Sequence, residues 1–497
     1  MRMVTGRTDH VVVVGAGLAG LSTALHLLGA GRRVTVVERD DVPGGRAGRL
    51  DLGGYRFDTG PTVLTMPDLV DEAFAAVGES LRDRLDLMPL EPAYRARFAD
   101  GEVLDVHADA DAMEAEVRRF AGPAEAAGYR ALRAWLTDLY RTEKDTFIGA
   151  NFDSPLNLLT PHLARLAALG GFARLGPSVA RFLKDERLQR VFSFQSLYAG
   201  LPPRKALAAY AVIAYMDTIA GVYYPRGGMR ALPDALAAAA RDAGADLRYR
   251  TKVAWLERIG GRVTAVRTAQ GERIPCDAVV LTPDLPVAYR LLGHRPRRPV
   301  PMTWSPSAVV LHAGVDRTWP ELAHHTLLFG RAWDRTFDEL TRLGTLMSDP
   351  SLLVTSPPGR GMFVLAPVPN LSVGPIDWPR VGPAYRDELV RVLEDRGLTG
   401  FGDSVEVESL VTPRDWAGMG LAAGTPFSAA HTFAQTGPFR PRNLVLDNVV
   451  LAGCGTTPGV GVPPVLISGK LAAQRITGGV GARWRRPAAV SRAQHPG

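Results

Sequence analysis

The chain has 497 residues, a net charge of +7 and 46% hydrophobic residues, the make-up of a globular protein too long for one simple core. The longest apolar run, Ala206–Met216, stops at Asp217, well short of the roughly 18 residues that suggest a spanning helix. Two distant cysteines, Cys276 and Cys454, exclude a disulfide framework and read as reduced thiols. The histidines show no metal-ligand spacing, so no metal is expected. The basic excess is not interleaved with aromatics, which argues against nucleic acid.

The opening MRMVTGRTDH carries no apolar signal segment, which favours a cytoplasmic location. His10–Val14 reads as a buried strand, Leu18–Leu28 as a helix and Arg33–Val37 as a second strand. Gly15, Gly17 and Gly20 between the first two give the spacing G-x-G-x-x-G. The first allows a tight turn, the second lets the backbone approach a pyrophosphate, and the third lets the helix pack on the sheet. Ala16 and Leu18 open the helix, whose N-terminal N–H groups suit phosphate. Glu38, followed by Arg39, can accept hydrogen bonds from a ribose diol, which favours FAD or NAD over NADP.

Pro43–Arg49, PGGRAGR, supplies a second phosphate-facing turn with Gly45 and Arg46. A Gly-Gly-Arg in this place resembles FAD enzymes of the amine oxidase-like superfamily. Asp58–Gly60 with Pro61 and Thr62 reads as a turn near the flavin ring. Residues 68–150 read as amphipathic helices with a strand pair around Tyr94–Leu104. Their aromatics, Phe120, Tyr129, Trp135, Tyr140 and Phe147, are candidates for the core or a substrate cavity. Arg141, Glu143 and Asp145 read as surface charges, and no catalytic side chain is nominated.

Ser154–Lys184 is leucine-rich and acid-free, with Arg165, Arg174, Arg181 and Lys184 as its full charges. Pro161 and Pro177 are expected to break it into short helices, and the composition suits a membrane interface. A helix is expected from Leu232. A meander of Leu247–Val253, Val263–Arg267 and Arg273–Ile274 follows, with Val253 near the adenine. DAVVLTP, 277–283, returns the chain to the nucleotide domain. Ser307–Val315 and Gly361–Leu371 read as strands of a substrate domain, and Tyr385–Arg396 as a helix. Strand Val449–Ala452, the glycines from Gly453 to Gly461, and a helix from Val465 form a last strand–turn–helix. There Gly453, Gly461 and Val462 can face the same cofactor. The basic tail, with Arg483, Arg485, Arg486 and Arg492, reads as solvated or as a contact for anionic lipid.

Taken together, VVVVGAGLAGL, PGGRAGR, GYRFDTGPT, VFSFQSLYAG, YYPRGGM, LAHHTLLFG, LAPVPNL and GCGTTPGVGVPPVLISGK resemble the bacterial-type phytoene desaturases, carotenoid dehydrogenases. The resemblance runs from about residue 10 to residue 477. Cys454 and Thr457 stand where such proteins often have Ala and His, and LTPD, 281–284, replaces an Asn-Ala-Asp ending.

The resemblance implies an α/β fold: a Rossmann-like FAD-binding domain of discontinuous segments, an inserted α+β substrate domain and a helical region able to meet a membrane. The expected division is 1–90, 241–295 and 441–480 for FAD, 91–240 for the helical substrate and membrane region, 296–440 for the substrate sheet, and 481–497 for the tail. It implies FAD as cofactor, a long apolar carotenoid as substrate, and quinone or oxygen as electron acceptor. A C40 hydrocarbon gains on the order of 30 kcal/mol on leaving water, so it stays in the bilayer. The protein is therefore expected at the cytoplasmic membrane surface, docked through 154–184. A desaturase or ketolase of another acyclic carotenoid, an amine oxidase and a non-catalytic lipid-binding FAD fold remain the alternatives.

Overall fold

A computed structural model describes residues 1–298, 300–359 and 361–479. The basic tail lies outside the described residues. The described strands form five sheets.

The six-stranded nucleotide sheet runs Asp246–Arg248, Arg33–Val37, His10–Val14, Ala278–Leu281, Val449–Leu451 and Leu444–Leu446. All neighbours are parallel except the last pair. Val12 stands opposite Thr35 on one side and Val279 on the other. Val11, Val12 and Val13 are fully buried, as continuous apolar strands in a sheet covered on both faces require. The first helix, Leu18–Gly29, packs against the last, Val462–Thr477. Ser22 Oγ donates to the Leu466 carbonyl at 2.8 Å and Thr23 Oγ1 to that of Gly469 at 3.2 Å, so the two ends of the chain are joined.

The meander differs from expectation. Asp246–Arg248 joins the nucleotide sheet beside Arg33–Val37. The three antiparallel strands are Val253–Ile259, Arg262–Thr268 and Arg273–Pro275. The single apolar run at 247–253 is thus divided between two sheets, with Arg250 in a left-handed conformation at the corner.

A seven-stranded sheet carries the second half of the molecule. Its order is Val405–Val411, Ser307–Val315, Gly361–Val368, Leu352–Thr355, His325–Phe329, Tyr94–Phe98 and Val103–Val106. Strands from the 91–240 stretch and from the 296–440 stretch therefore share one sheet, joined by the parallel pair Thr326–Arg95 to Phe329–Phe98. Helix Trp378–Asp395 packs on it through Trp378, Tyr385, Leu389 and Leu393.

The 154–184 stretch folds as short helices, Pro155–Leu158, Pro161–Ala168 and Leu175–Val179. Pro161 opens its helix rather than ending one, because the first helical position needs no N–H partner, and Thr160 caps it. Pro177 lies in the first turn of the third helix for the same reason. Among the described residues no helix is long and apolar enough to cross a membrane.

Candidate functional site

The glycine turn works as its spacing implies. Gly15 has a φ of +104°, and a Cβ on Gly20 would run into the Gly15 carbonyl oxygen. Glu38, buried at the end of the second strand, accepts hydrogen bonds from the Ala16 N–H at 2.7 Å and the Asp40 N–H at 3.0 Å. Its carboxylate thereby fixes the turn from behind. The second glycine turn is joined to the first, the Gly44 N–H donating to the Ala16 carbonyl at 2.9 Å. Gly17 and Gly461 stand at the N-termini of their helices with no side-chain cap and no acid in the first turn. The helix start at Gly17 therefore offers free N–H groups to an anion, whereas at Gly461 the first turn holds Pro463 and Pro464, which have none, and leaves the Val462 N–H alone.

These turns open on one cavity of about 1050 Å³, above the roughly 300–1,000 Å³ of an ordinary ligand pocket. Its nucleotide end is lined by Gly15, Gly17, Leu18, Glu38, Arg39, Gly45, Arg46, Val253, Gly453, Gly461 and Val462. Pro61 and Thr62 line its middle, and Ala16 and Gly20 stand behind the wall. Sequence positions more than four hundred residues apart are thus brought to one surface.

Arg46 does more than face a phosphate. Its guanidinium donates to the Pro426 carbonyl at 2.8 Å and to Cys454 Sγ at 3.1 Å, and lies 3.9 Å from Asp284. Asp284 accepts from the Ala422 N–H at 2.9 Å and Ser428 Oγ at 3.2 Å. The residues of LTPD and the unusual Cys454 thus form one network around Arg46. Thr282 Oγ1 donates to the Val14 carbonyl at 2.8 Å, under the space that Gly15 leaves open. Both cysteines are free and half-buried, and burial pushes the Cys276 thiol up to about 12.

The other end of the cavity is apolar, lined by Phe194, Leu327, Phe329, Trp333, Phe337 and Leu340 among others. Between the two ends, the segment 58–62 is held from several sides. Asp58 accepts from Tyr224 Oη and the Met229 N–H, each at 2.9 Å, and burial pushes its carboxyl up to about 6. Thr355 Oγ1 donates to Thr62 Oγ1 at 3.0 Å, tying the segment to the seven-stranded sheet.

Two expectations change. The aromatics Phe120, Tyr129, Trp135, Tyr140 and Phe147 stay outside the cavity wall. Tyr129 packs on Phe192, and Tyr140 stacks on Tyr215 at 4.2 Å. Glu143 is buried rather than a surface charge, and burial pushes its carboxyl well above the usual range; Arg141 and Asp145 are exposed. The cavity is walled instead by the LAHHTLLFG strand, the 194–217 region and the helix after Trp333. A fully buried strand without alternation gives no sign of which face meets a ligand, so these residues were not legible as a wall. Among the described residues no cluster of His, Cys, Asp and Glu could hold a metal ion.

A parallel nucleotide sheet, paired glycine turns and a helix N-terminus from each end of the chain define a dinucleotide-binding oxidoreductase fold. The model of the family of flavin-containing amine oxidoreductases matches residues 18–477. The chain is 68% identical over 492 residues to a phytoene dehydrogenase of Streptomyces griseus, covering 96% of this chain and 97% of that one. It is 35% identical to a zeta-carotene-forming phytoene desaturase of Myxococcus xanthus, over 94% and 93% of the two chains. A solved structure of a putrescine oxidase double mutant shares the fold at 15% identity, with a TM-score of 0.61 over 94% of this chain and 99% of that one. The chain belongs to the phytoene desaturases within the FAD-dependent amine oxidoreductase family. It is an FAD-dependent oxidoreductase.

Proposed function

We propose that this enzyme desaturates phytoene stepwise, removing a hydride and a proton at each step to give lycopene or a less desaturated carotenoid. The single observation that carries this reading is the continuity of the cavity, glycine-lined at one end and apolar at the other. One end matches a dinucleotide, and the other matches a hydrocarbon with nothing to hydrogen-bond.

FAD, when bound, takes the hydride. The chain's own residues do the rest. Gly15, Gly17 and Gly45 leave room for the pyrophosphate, with Ala16 behind the turn and Leu18 at the helix start. Glu38 takes the ribose hydroxyls beside Arg39, and Val253 covers the adenine. Arg46, Pro61 and Thr62 with Gly453, Gly461 and Val462 frame the flavin end. Gly20 acts through helix packing. Phe194, Leu327 and Phe329 exclude water from the chemistry. In this reading the nucleotide sheet and its flanks form the FAD-binding part, and the seven-stranded sheet with the 91–240 helices forms the substrate part.

The membrane is the source of substrate in this reading. Leu156, Leu159 and Phe172 are exposed, at 72%, 73% and 44%, and the same stretch carries the exposed cations Arg165, Arg174, Arg181 and Lys184. Exposed apolar side chains together with exposed cations on short helices are the make-up of an interfacial anchor. The enzyme would work peripherally on the cytoplasmic membrane and pass its electrons to quinone or oxygen. Expression in cells that accumulate phytoene, followed by pigment chromatography, tests the reading. Lycopene, neurosporene or zeta-carotene is the expected result, and unchanged phytoene in cells holding yellow, FAD-loaded protein contradicts it.

A further inference from the structure

Four carboxylic acids line the cavity, and three have partners. Glu38 accepts two backbone N–H groups, Asp40 lies 3.7 Å from Arg39, and Asp284 accepts from Ala422 and Ser428. Asp217 is the fourth. It ends the longest apolar run of the sequence and sits in the last turn of helix Ala211–Thr218, beside Met216 in the cavity wall.

No hydrogen-bond donor and no cation reaches Asp217 among the described residues. The titratable groups facing it are Tyr94, from the seven-stranded sheet, and Tyr198, beyond the turn Phe194–Leu197; burial raises both, so both are neutral. From helix Pro123–Glu143, which packs on its helix, the titratable Tyr140 stacks on Tyr215, and burial raises its hydroxyl. The cavity histidines, His312, His325 and His431, are poor bases, and burial with Arg440 nearby holds His431 well below its ordinary value. His325 shares a hydrogen bond with Thr355 Oγ1, and burial pushes its imidazole down to about 3. His312 contacts the Asp58 carbonyl and is pushed down to about 4. Burial with no compensating partner raises the Asp217 carboxyl to about 7.

The geometry points to Asp217 as the base that accepts the proton in each desaturation, a catalytic residue in the apolar half of the cavity. The inference rests on the desaturase reading above. A hydride, carrying both electrons of its C–H bond, leaves one carbon of an allylic CH₂–CH₂ pair and reduces oxidised FAD. The neighbouring carbon gives its proton to the Asp217 carboxylate. The electron pair of that C–H bond becomes the new double bond, and the Asp217 carboxyl then releases its proton to water. A group that titrates near the working pH can both take and return the proton. An unpaired carboxyl in an apolar wall is otherwise costly.

The test compares wild type, D217N and D217E, each as FAD-loaded protein mixed anaerobically with phytoene in liposomes. Wild-type flavin bleaching should speed up with rising pH through neutrality. D217N should bleach on the order of 10²–10⁴-fold more slowly, with no such pH limb. D217E should keep a measurable part of the rate. A readout independent of turnover is the Tm difference, D217N minus wild type, which should grow as pH rises from about 4 to about 7 and level off above, because in that window the unfolded wild-type carboxyl has ionised while the buried one still holds its proton. Wild type that does not bleach with phytoene sinks the desaturase reading. Wild type that bleaches while D217N matches it overturns the role of Asp217. So does a slow D217N that keeps the wild-type pH limb, or a Tm difference independent of pH. If D217N does not hold flavin, D217E decides: a displaced pH limb supports the role and an unmoved one overturns it.

Discussion

The two ends of the cavity are built in different ways. The nucleotide end is made of backbone: turns stapled by Gly44 N–H to Ala16 carbonyl, two uncapped helix starts, and one buried acid holding a turn. The apolar end is made of side chains from several separate stretches, with few polar groups to fix an orientation. A cofactor that is always the same is met by rigid main chain. A long hydrocarbon that must slide and be re-presented is met by surface without hydrogen-bond register. The difference predicts that damage at one end leaves the other working.

The largest effect is expected from G20V. The added side chain collides with the Gly15 carbonyl, so the protein should purify without flavin, as its absorbance spectrum will show. Retained flavin would break the claim that main-chain packing shapes that end. F329A acts at the other end. Phe329 is buried and stacks on Phe98 at 5.3 Å, so its loss should cost about 3–5 kcal/mol of stability. Flavin affinity in the folded fraction should not change, which denaturant titration and flavin binding together will show.

Reversing the cations of the short helices comes next. With Arg165, Arg174, Arg181 and Lys184 all changed to Glu, binding to anionic vesicles should fall by about 4 kcal/mol, roughly a thousandfold. Flavin content reports that the fold survives, and unchanged vesicle binding contradicts the anchor. The smallest effect belongs to E38A. Removing the acceptor for Ala16 and Asp40 should weaken FAD binding by about 1.5–3 kcal/mol, roughly ten- to a hundredfold, measured by flavin titration of apoprotein.

The same contrast explains what could be read in advance. Gly15, Gly17, Gly20 and Glu38 announce themselves because a backbone-built site needs particular residues at fixed spacing. The strands His10–Val14, Arg33–Val37 and Ser307–Val315 have the expected bounds. The apolar wall was illegible because Leu327 and Phe329 meet Phe194 and Trp333 only through tertiary packing. Strands Leu352–Thr355 and Val405–Val411 lie outside the strands expected from the sequence. Asp217 carried one signal, a lone acid closing a long apolar run, which reads equally as the end of a core helix until the cavity is seen. Arg46 and Cys454 were visible as motif residues, but their contact with each other is a product of the fold.

The central claim is that FAD and hydrocarbon meet in one cavity and exchange a hydride there. It is tested most directly by mixing FAD-loaded enzyme with phytoene liposomes anaerobically and following flavin absorbance and carotenoid spectrum together. The account predicts that each flavin bleached is matched by one new conjugated double bond. Desaturated pigment formed without flavin bleaching, or oxidised flavin that persists with phytoene bound, would contradict it.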